Sequence, residues 1–376
     1  MLFEIERFVE KKVLPPTCSL LSIFKRKKPL SGKNKEMLVI RLWALGESIL
    51  CLPMIKALKQ ADPDSRITVL CTKKNSDVFR GQDFIDACKE TSSSSIPLFI
   101  LRNLWRFDVA IDTEPHFAIS AILSFFCAKR SIGYDHGPRA KLYDVNVAYN
   151  DAQHAVYTIC DLLKPLGINA RPKELVRLKY GQGTAKALDA KLKAAGINPG
   201  PLIGVHAFTG PSATWRAWPK ERFAQLIDRI KERYGCTFIL TGSSSEEPGN
   251  LEIINMLKDK RDVFCMSDLS QTELFCLVAR YDLMVANDTG PMHVAAAQGV
   301  PTIGLFGPNL PQRFGPFPPE RNLAFYHPSP GHPVINIHLN EIRKCDGECM
   351  RLISVDEVFE GAIKVLGGRI NKREEQ

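Results

Sequence analysis

Two successive series of strand-like and helix-like segments constrain this chain more than any other feature of its sequence. The first opens at Met37. MLVIRL reads as a strand, WALGES as a loop, and ILCLPMIKALKQADP carries Leu50, Pro53, Met54, Ala57 and Leu58 at helical spacing up to Asp62 and Pro63. RITVLCT and FDVAID follow as strands, then the apolar helix AISAILSFFCAK and the segment RSIGYD. The second series runs from the strand PLIGVHA through a long loop to the helix KERFAQLIDRIKERYG and the strand CTFILTG. It continues with the helix DLSQTELFCLVARYD, the strand DLMVAND, the helix PMHVAAAQG and the strand PTIGLFG. Strands alternating with helices build βα units and a mainly parallel sheet. At 376 residues the chain is long for one domain. The economical architecture is α/β, two doubly wound domains facing a cleft, with ligands outside the carboxyl ends of the strands.

The boundaries read as an N-terminal extension over 1–36, a first domain over 37–180 and a second over 181–350. His154–Ile168 forms a helix closing the first domain, and the Lys-rich stretch 169–200, with a helix over ALDAKLKAAG, suits a hinge. Residues 351–368 form an amphipathic helix expected to pack back across the domains, capped by Ser354 with Glu357 three residues later, and 369–376 form a tail.

Eleven cysteines sit in apolar runs without framework spacing, as in a reduced protein using Cys as a small core residue. Cys345 and Cys349 form a C-x3-C pair with no second ligand pair nearby, so no metal is expected. The net charge of +9 suits a solvated basic surface, an anionic membrane or an anionic substrate. Nucleic acid is excluded as a partner, because no recognition module or basic-aromatic series is present. In the extension, Leu2, Phe3, Ile5, Phe8, Val9 and Leu14 share one side of a short helix, and the KRKK run from Lys25 to Lys28 follows. Two readings stay open: an interfacial membrane contact, or a capping helix with a basic linker. No run reaches the ~18–20 apolar residues of a span, and no secretory signal is read.

The richest segment is DLMVANDTGPMHVAAAQGVPTIGLFGPNLP. Asn287, Asp288, Thr289 and Gly290 form a turn after a strand, and Pro291 occupies a favoured first helical position. Free N–H groups at that helix start, with the Thr289 hydroxyl, suit a diphosphate; helix capping alone is the plain alternative. Gly307 and Pro308 turn the next strand similarly. In GVHAFTGPSATWRAWPKERF a strand opens into Thr209, Gly210, Ser212 and Thr214, followed by Arg216, whose planar cation suits phosphate oxygens. Glu246 follows a later strand, where a carboxylate can accept from ribose hydroxyls. Glu47, in the first strand-to-helix loop, is either a general base or a charge favouring the helix dipole. Neither GxGxxG nor GxxxxGK[ST] is present, so nicotinamide redox and P-loop readings lose their signatures, and Asp62-x-Asp64 reads as a turn.

RLWALGESILCLPMIKAL, TWRAWPKERFAQL, NDTGPMHVAAAQGVPTIGLFGP and CMRLISVDEVFEGAIKVL, in that order along the chain, resemble segments of glycosyltransferase family 9, the ADP-heptose:lipopolysaccharide heptosyltransferases. The resemblance runs from about Met37 to Leu366. It implies a GT-B fold of two Rossmann-like domains, and an inverting transfer of heptose from ADP-heptose to an anionic lipopolysaccharide core or lipid-linked acceptor. It also implies donor contacts by Thr209, Arg216, Glu246, Leu269, Asp288, Thr289, Gly290 and His293, with Glu47 and Arg216 as catalytic residues. Glu47 stands where the family has Asp, one methylene shorter, and Arg216 where the family commonly has Lys. His136, Arg139 and Lys141 are read as acceptor-binding bases. The implied protein is a monomer that needs no metal, cytoplasmic and peripheral on the inner face of the inner membrane. Alternatives are transfer of another nucleotide-linked sugar to a different envelope glycan, or a non-catalytic sugar-nucleotide or membrane-binding protein.

Overall fold

The computed structural model describes residues 9–25, 29–30, 35–197, 200–210, 213–328 and 347–374. The chain divides into two units, the first ending at Lys173 and the second beginning at Glu174.

The first unit holds strands β1 (Glu36–Ile40), β2 (Arg66–Cys71), β3 (Ala87–Glu90), β4 (Phe107–Asp112), β5 (Ala128–Tyr134) and β6 (Val145–Val147). They form one sheet in the order β3-β2-β1-β4-β5-β6, with every neighbouring pair parallel. The second unit holds β7 (Leu202–His206), β8 (Thr237–Thr241), β9 (Val263–Met266), β10 (Leu283–Asn287), β11 (Thr302–Phe306) and β12 (Leu323–Tyr326). Its order is β9-β8-β7-β10-β11-β12, again parallel throughout. Each unit is therefore doubly wound. The order reverses between β1 and β4 in one sheet and between β7 and β10 in the other, and such switch points are where these folds bind ligands.

Helices on both faces explain the inner strands. β7, β8, β10 and β11 are buried at every position, which selects continuous runs such as LIGVH and LMVAN. The helices used below are α1 (Leu14–Leu21), α2 (Leu45–Ala61), α3 (Ala118–Cys127), α4 (Gln182–Ala194), α5 (Lys220–Tyr234), α6 (Glu247–Asn255), α7 (Gln271–Val278), α8 (Gly290–Ala297) and α9 (Val355–Glu374).

Several expectations shift. Residues 9–25 of the extension are built into the first unit rather than left as a linker. Cys18 is buried among Ala118, Ala121, Leu142 and Tyr143, and Glu10 accepts the Ala118 N–H at the start of α3. Lys25 pairs with the buried Asp144 at 2.7 Å. Leu2, Phe3, Ile5 and Phe8 lie outside the described residues, as do Arg26, Lys27 and Lys28. The helix expected in the Lys-rich stretch is α4, which starts earlier, at Gln182; its Leu188 and Leu192 are buried and its Lys191 meets Glu273 of α7 at 2.9 Å. Helix α9 starts after Ser354, whose hydroxyl accepts the Glu357 N–H at 3.2 Å, and continues to Glu374 through the expected tail. Its Val358, Ala362 and Leu366 are buried in the second unit's own core.

Candidate active site

In the second unit the polar residues gather at the carboxyl ends of β7, β8, β9 and β10. Asn287 ends β10 fully buried. Its amide donates to the Ala207 carbonyl at 2.7 Å and its Oδ1 accepts the Trp218 N–H at 3.0 Å, so it ties β10 to the loop after β7. Trp218 anchors that loop, because its buried indole N–H donates to the Ile353 carbonyl at 2.9 Å and its ring meets Phe223 edge-on. Arg216, two residues earlier, is thereby aimed across the switch point at Asp288. Its Nη2 donates to the Asp288 carboxylate and to the Asp288 carbonyl at 3.0 Å. Asn309 donates to the same carboxylate oxygen at 2.7 Å. Asp288 is 7% exposed, and its charge is met by a cation and an amide rather than by water.

Thr289 is the N-cap of α8, but its hydroxyl turns back to the Asn287 carbonyl at 3.1 Å and caps nothing. The first N–H groups of α8, at Gly290 and beyond, thus have no side-chain cap, and a helix start so arranged attracts an anion. His293 is buried one turn further along. Thr209 donates to the Ala213 carbonyl at 2.6 Å across Gly210, whose φ of +77° suits glycine. Glu246, immediately before α6, accepts from the Ser243 N–H at 2.7 Å and hydroxyl at 2.8 Å, and from the Gly210 N–H at 3.3 Å. It clips the loops after β7 and β8 together. Leu269 is half-buried between β9 and α7. Ser212 lies outside the described residues.

In the first unit the corresponding turn follows β1. Helix α2 begins at Leu45, so Glu47 sits in its first turn and not in the loop. Ala44, just before the helix, has φ +63°, a strained value for a residue with a Cβ. Glu47 pairs with Arg41, which is 1% exposed. Arg41 in turn donates to the Thr113 carbonyl at 2.7 Å and lies 3.8 Å from Glu114. Glu114 accepts the Leu42 and Trp43 N–H groups at 2.6 and 2.9 Å. Burial pushes the Glu114 carboxyl up to about 7; Arg41 opposes the shift, while Glu47 and Asp112 add to it. Burial alone would lower the Arg41 guanidinium, but Glu114 and Glu47 outweigh it and hold it above its ordinary value.

The expected acceptor bases are not brought together. His136 stays near the turn, contacting the Pro115 carbonyl and facing His116 and Tyr149. Arg139 is buried, against the expectation of an acceptor contact: it pairs with Asp112 at 2.8 Å and with the Tyr143 hydroxyl. Lys141 is exposed but reaches Ser19 of α1 at 3.3 Å, so it serves the N-terminal segment. Arg41, Trp43 and Glu114 were missed. The arginine in RLWALGE carried the signal for the first, but nothing local links Glu114 to a loop 70 residues earlier. Cys349 is a buried core residue, and Cys345 lies outside the described residues.

A model of glycosyltransferase family 9 (heptosyltransferase) matches residues 101–330. Lipopolysaccharide heptosyltransferase 3 of Escherichia coli is 22% identical over 295 residues, covering 70% of this chain and 80% of its own. Among solved structures, a family 9 glycosyl transferase from Veillonella parvula aligns with TM-score 0.76 at 20% identity, over 90% of this chain and 99% of its own. The E. coli ADP-heptose LPS heptosyltransferase II aligns with TM-score 0.70 at 17% identity, over 89% and 99%. These two share the fold, and the family match extends across the β4–β5 region, the Arg216 loop and the Asp288 turn. A chain matched over that much of its length belongs to glycosyltransferase family 9, and it is a glycosyltransferase.

Proposed function

We propose that this enzyme moves a heptose from ADP-heptose to a saccharide of an anionic, lipid-linked lipopolysaccharide acceptor, with inversion. The observation that carries the reading is the Arg216–Asp288 pair beside the uncapped start of α8, at the switch point of the second sheet. There the diphosphate of the donor meets helix N–H groups, the Thr289 hydroxyl and the guanidinium. Asp288 holds Arg216 in place; its own negative charge is unsuited to touching phosphate. Glu246 and Thr209 shape the loops on the nucleotide side, with Leu269 and His293 as further donor-side positions. Glu47 takes the proton from the acceptor hydroxyl, which attacks the sugar carbon as its bond to ADP breaks. The leaving charge is stabilised by Arg216 and the helix start, so no step needs a metal. His136, with the half-exposed Trp43, forms the acceptor side. The lipid anchor of the acceptor sets the place of work, on the inner face of the bacterial inner membrane.

One oxygen of Glu47 is engaged by Arg41, and that sustains a second reading in which the chain binds sugar nucleotide without transferring it. The test is ADP release from ADP-heptose with heptose-deficient core acceptor, for wild type and Glu47→Gln. Donor-dependent release that the variant loses supports transfer. Donor binding without release by the wild type sinks it, and release only from other nucleotide sugars reassigns the donor.

A further inference from the structure

We infer that the first unit carries a docking surface for an anionic lipid bilayer, made by the N-terminal segment together with the helix Ile96–Arg102. Both pack on α3: Leu21 and Ile100 lie against the cluster that includes Ala118 and Ile122, and the Trp105 N–H donates to the Phe126 carbonyl at 2.8 Å. What they turn outward is apolar. Ile23 and Phe24 are each 74% exposed, Leu101 69% and Trp105 59%, with Leu20 and Leu98 exposed beside them. One exposed leucine needs no explanation, but this many large side chains on two segments packed against one helix do. Trp105 is held outward at a price in strain, with φ +46°, where glycine would be relaxed.

Charge selects the partner. Residues 14–35 and 91–107 contain no Asp or Glu, and the exposed Arg102 and Arg106 stand beside the apolar groups, while Lys25 is engaged by Asp144. Apolar side chains that include an indole, with exposed arginines on the same segment, match the interface of an anionic bilayer, which takes the apolar groups while its phosphates meet the cations. Among the described residues no helix is long and apolar enough to cross a membrane, so the contact is interfacial. The lipid-linked acceptor proposed above supplies the purpose of this surface, but testing it requires neither donor nor acceptor.

The experiment is cosedimentation of the full chain with vesicles of phosphatidylglycerol and phosphatidylethanolamine, against phosphatidylcholine alone. Wild type should partition to the anionic vesicles, more weakly at high salt. Ile23→Ser/Phe24→Ser/Leu101→Ser/Trp105→Ser should lose roughly tenfold or more, and Arg102→Glu alone a smaller but measurable part. Circular dichroism on the quadruple variant checks its fold; if it is unfolded, Phe24→Ser and Arg102→Glu decide by the same measurement. Vesicle binding unchanged by these substitutions overturns the surface, as does a wild type that ignores anionic vesicles. Concentration-dependent self-association abolished by the same substitutions would overturn it too, making the patch a contact between copies.

Discussion

Replacing Arg216 should damage donor binding by more than the loss of one hydrogen bond. A charge-assisted hydrogen bond contributes roughly 1.5–3 kcal/mol, or ~10–150-fold in affinity. Arg216→Ala also strands Asp288, whose carboxylate is 7% exposed and would keep only Asn309. A unit charge ~4 Å from a phosphate oxygen is repelled by about 1 kcal/mol at water-like screening and about 4 kcal/mol near a partly buried surface. The limited exposure of Asp288 favours the upper half of that range. Arg216→Ala should therefore weaken ADP binding by ~100-fold or more, and Arg216→Ala/Asp288→Asn should regain roughly tenfold by removing the stranded charge. Arg216→Lys should recover much of the loss, since a point charge still reaches phosphate. Calorimetric titration of ADP into the four proteins, with and without EDTA, measures all of this. A double variant no better than Arg216→Ala would refute the stranded Asp288 charge as a part of the loss. An alanine variant that binds ADP normally, or binding abolished by EDTA, would refute the phosphate site itself.

Glu47→Gln should leave ADP affinity within a few-fold and lower turnover by ~10²–10⁴ at saturating substrates; equal turnover removes Glu47 as the base. Lys25→Ala should take the paired cation from the buried Asp144, which also accepts from Ser131, at a loss of roughly 3 kcal/mol, and lower the first unit's Tm by about 6 °C by calorimetry. Glu10 and Glu114 are both pushed by burial up to about 7, above the 4.5 of a free glutamate. Each therefore binds a proton on folding, giving stability that is complete below about 4.5 and lost as pH rises through about 7. Glu114→Gln, which still accepts the Leu42 and Trp43 N–H groups, should flatten the fall of Tm across that window; an unchanged slope would show that Glu114 does not titrate there.

The fold was legible where burial is symmetrical. Inner strands such as MLVI and LMVAN face helices on both sides, so their sequences are continuous apolar runs. The edge strands are not of that kind. ACKE of β3, VNV of β6 and LAFY of β12 are short and half-exposed, too brief for an apolar run or an alternation to mark them as strands. The residues of the second unit's candidate site stand together for a related reason: its turn, helix start and cation lie within two short segments. The expected acceptor bases do not. Arg139 and Lys141 are two residues apart on a short helical turn, yet one is buried on Asp112 and the other faces Ser19. A basic residue after a strand carries no mark of which way its turn will roll.

The same limit explains why Glu47 alone understates the first unit's site. Read in sequence, it is a carboxylate one methylene longer than the family's aspartate, and a longer side chain has more ways to miss its target. In the fold it is not free to explore them. Arg41 holds one of its oxygens, the Thr113 carbonyl and Glu114 fix Arg41 from the neighbouring strand, and Glu114 also clamps the loop through the Leu42 and Trp43 N–H groups. Arg41 and the loop follow β1, and Thr113 and Glu114 follow β4, the two strands that flank the reversal of sheet order. The Glu47 carboxylate is thus held by a network with a buried Arg41 and Glu114 that only the sheet order brings together, and its position is a property of that network rather than of residue 47 alone.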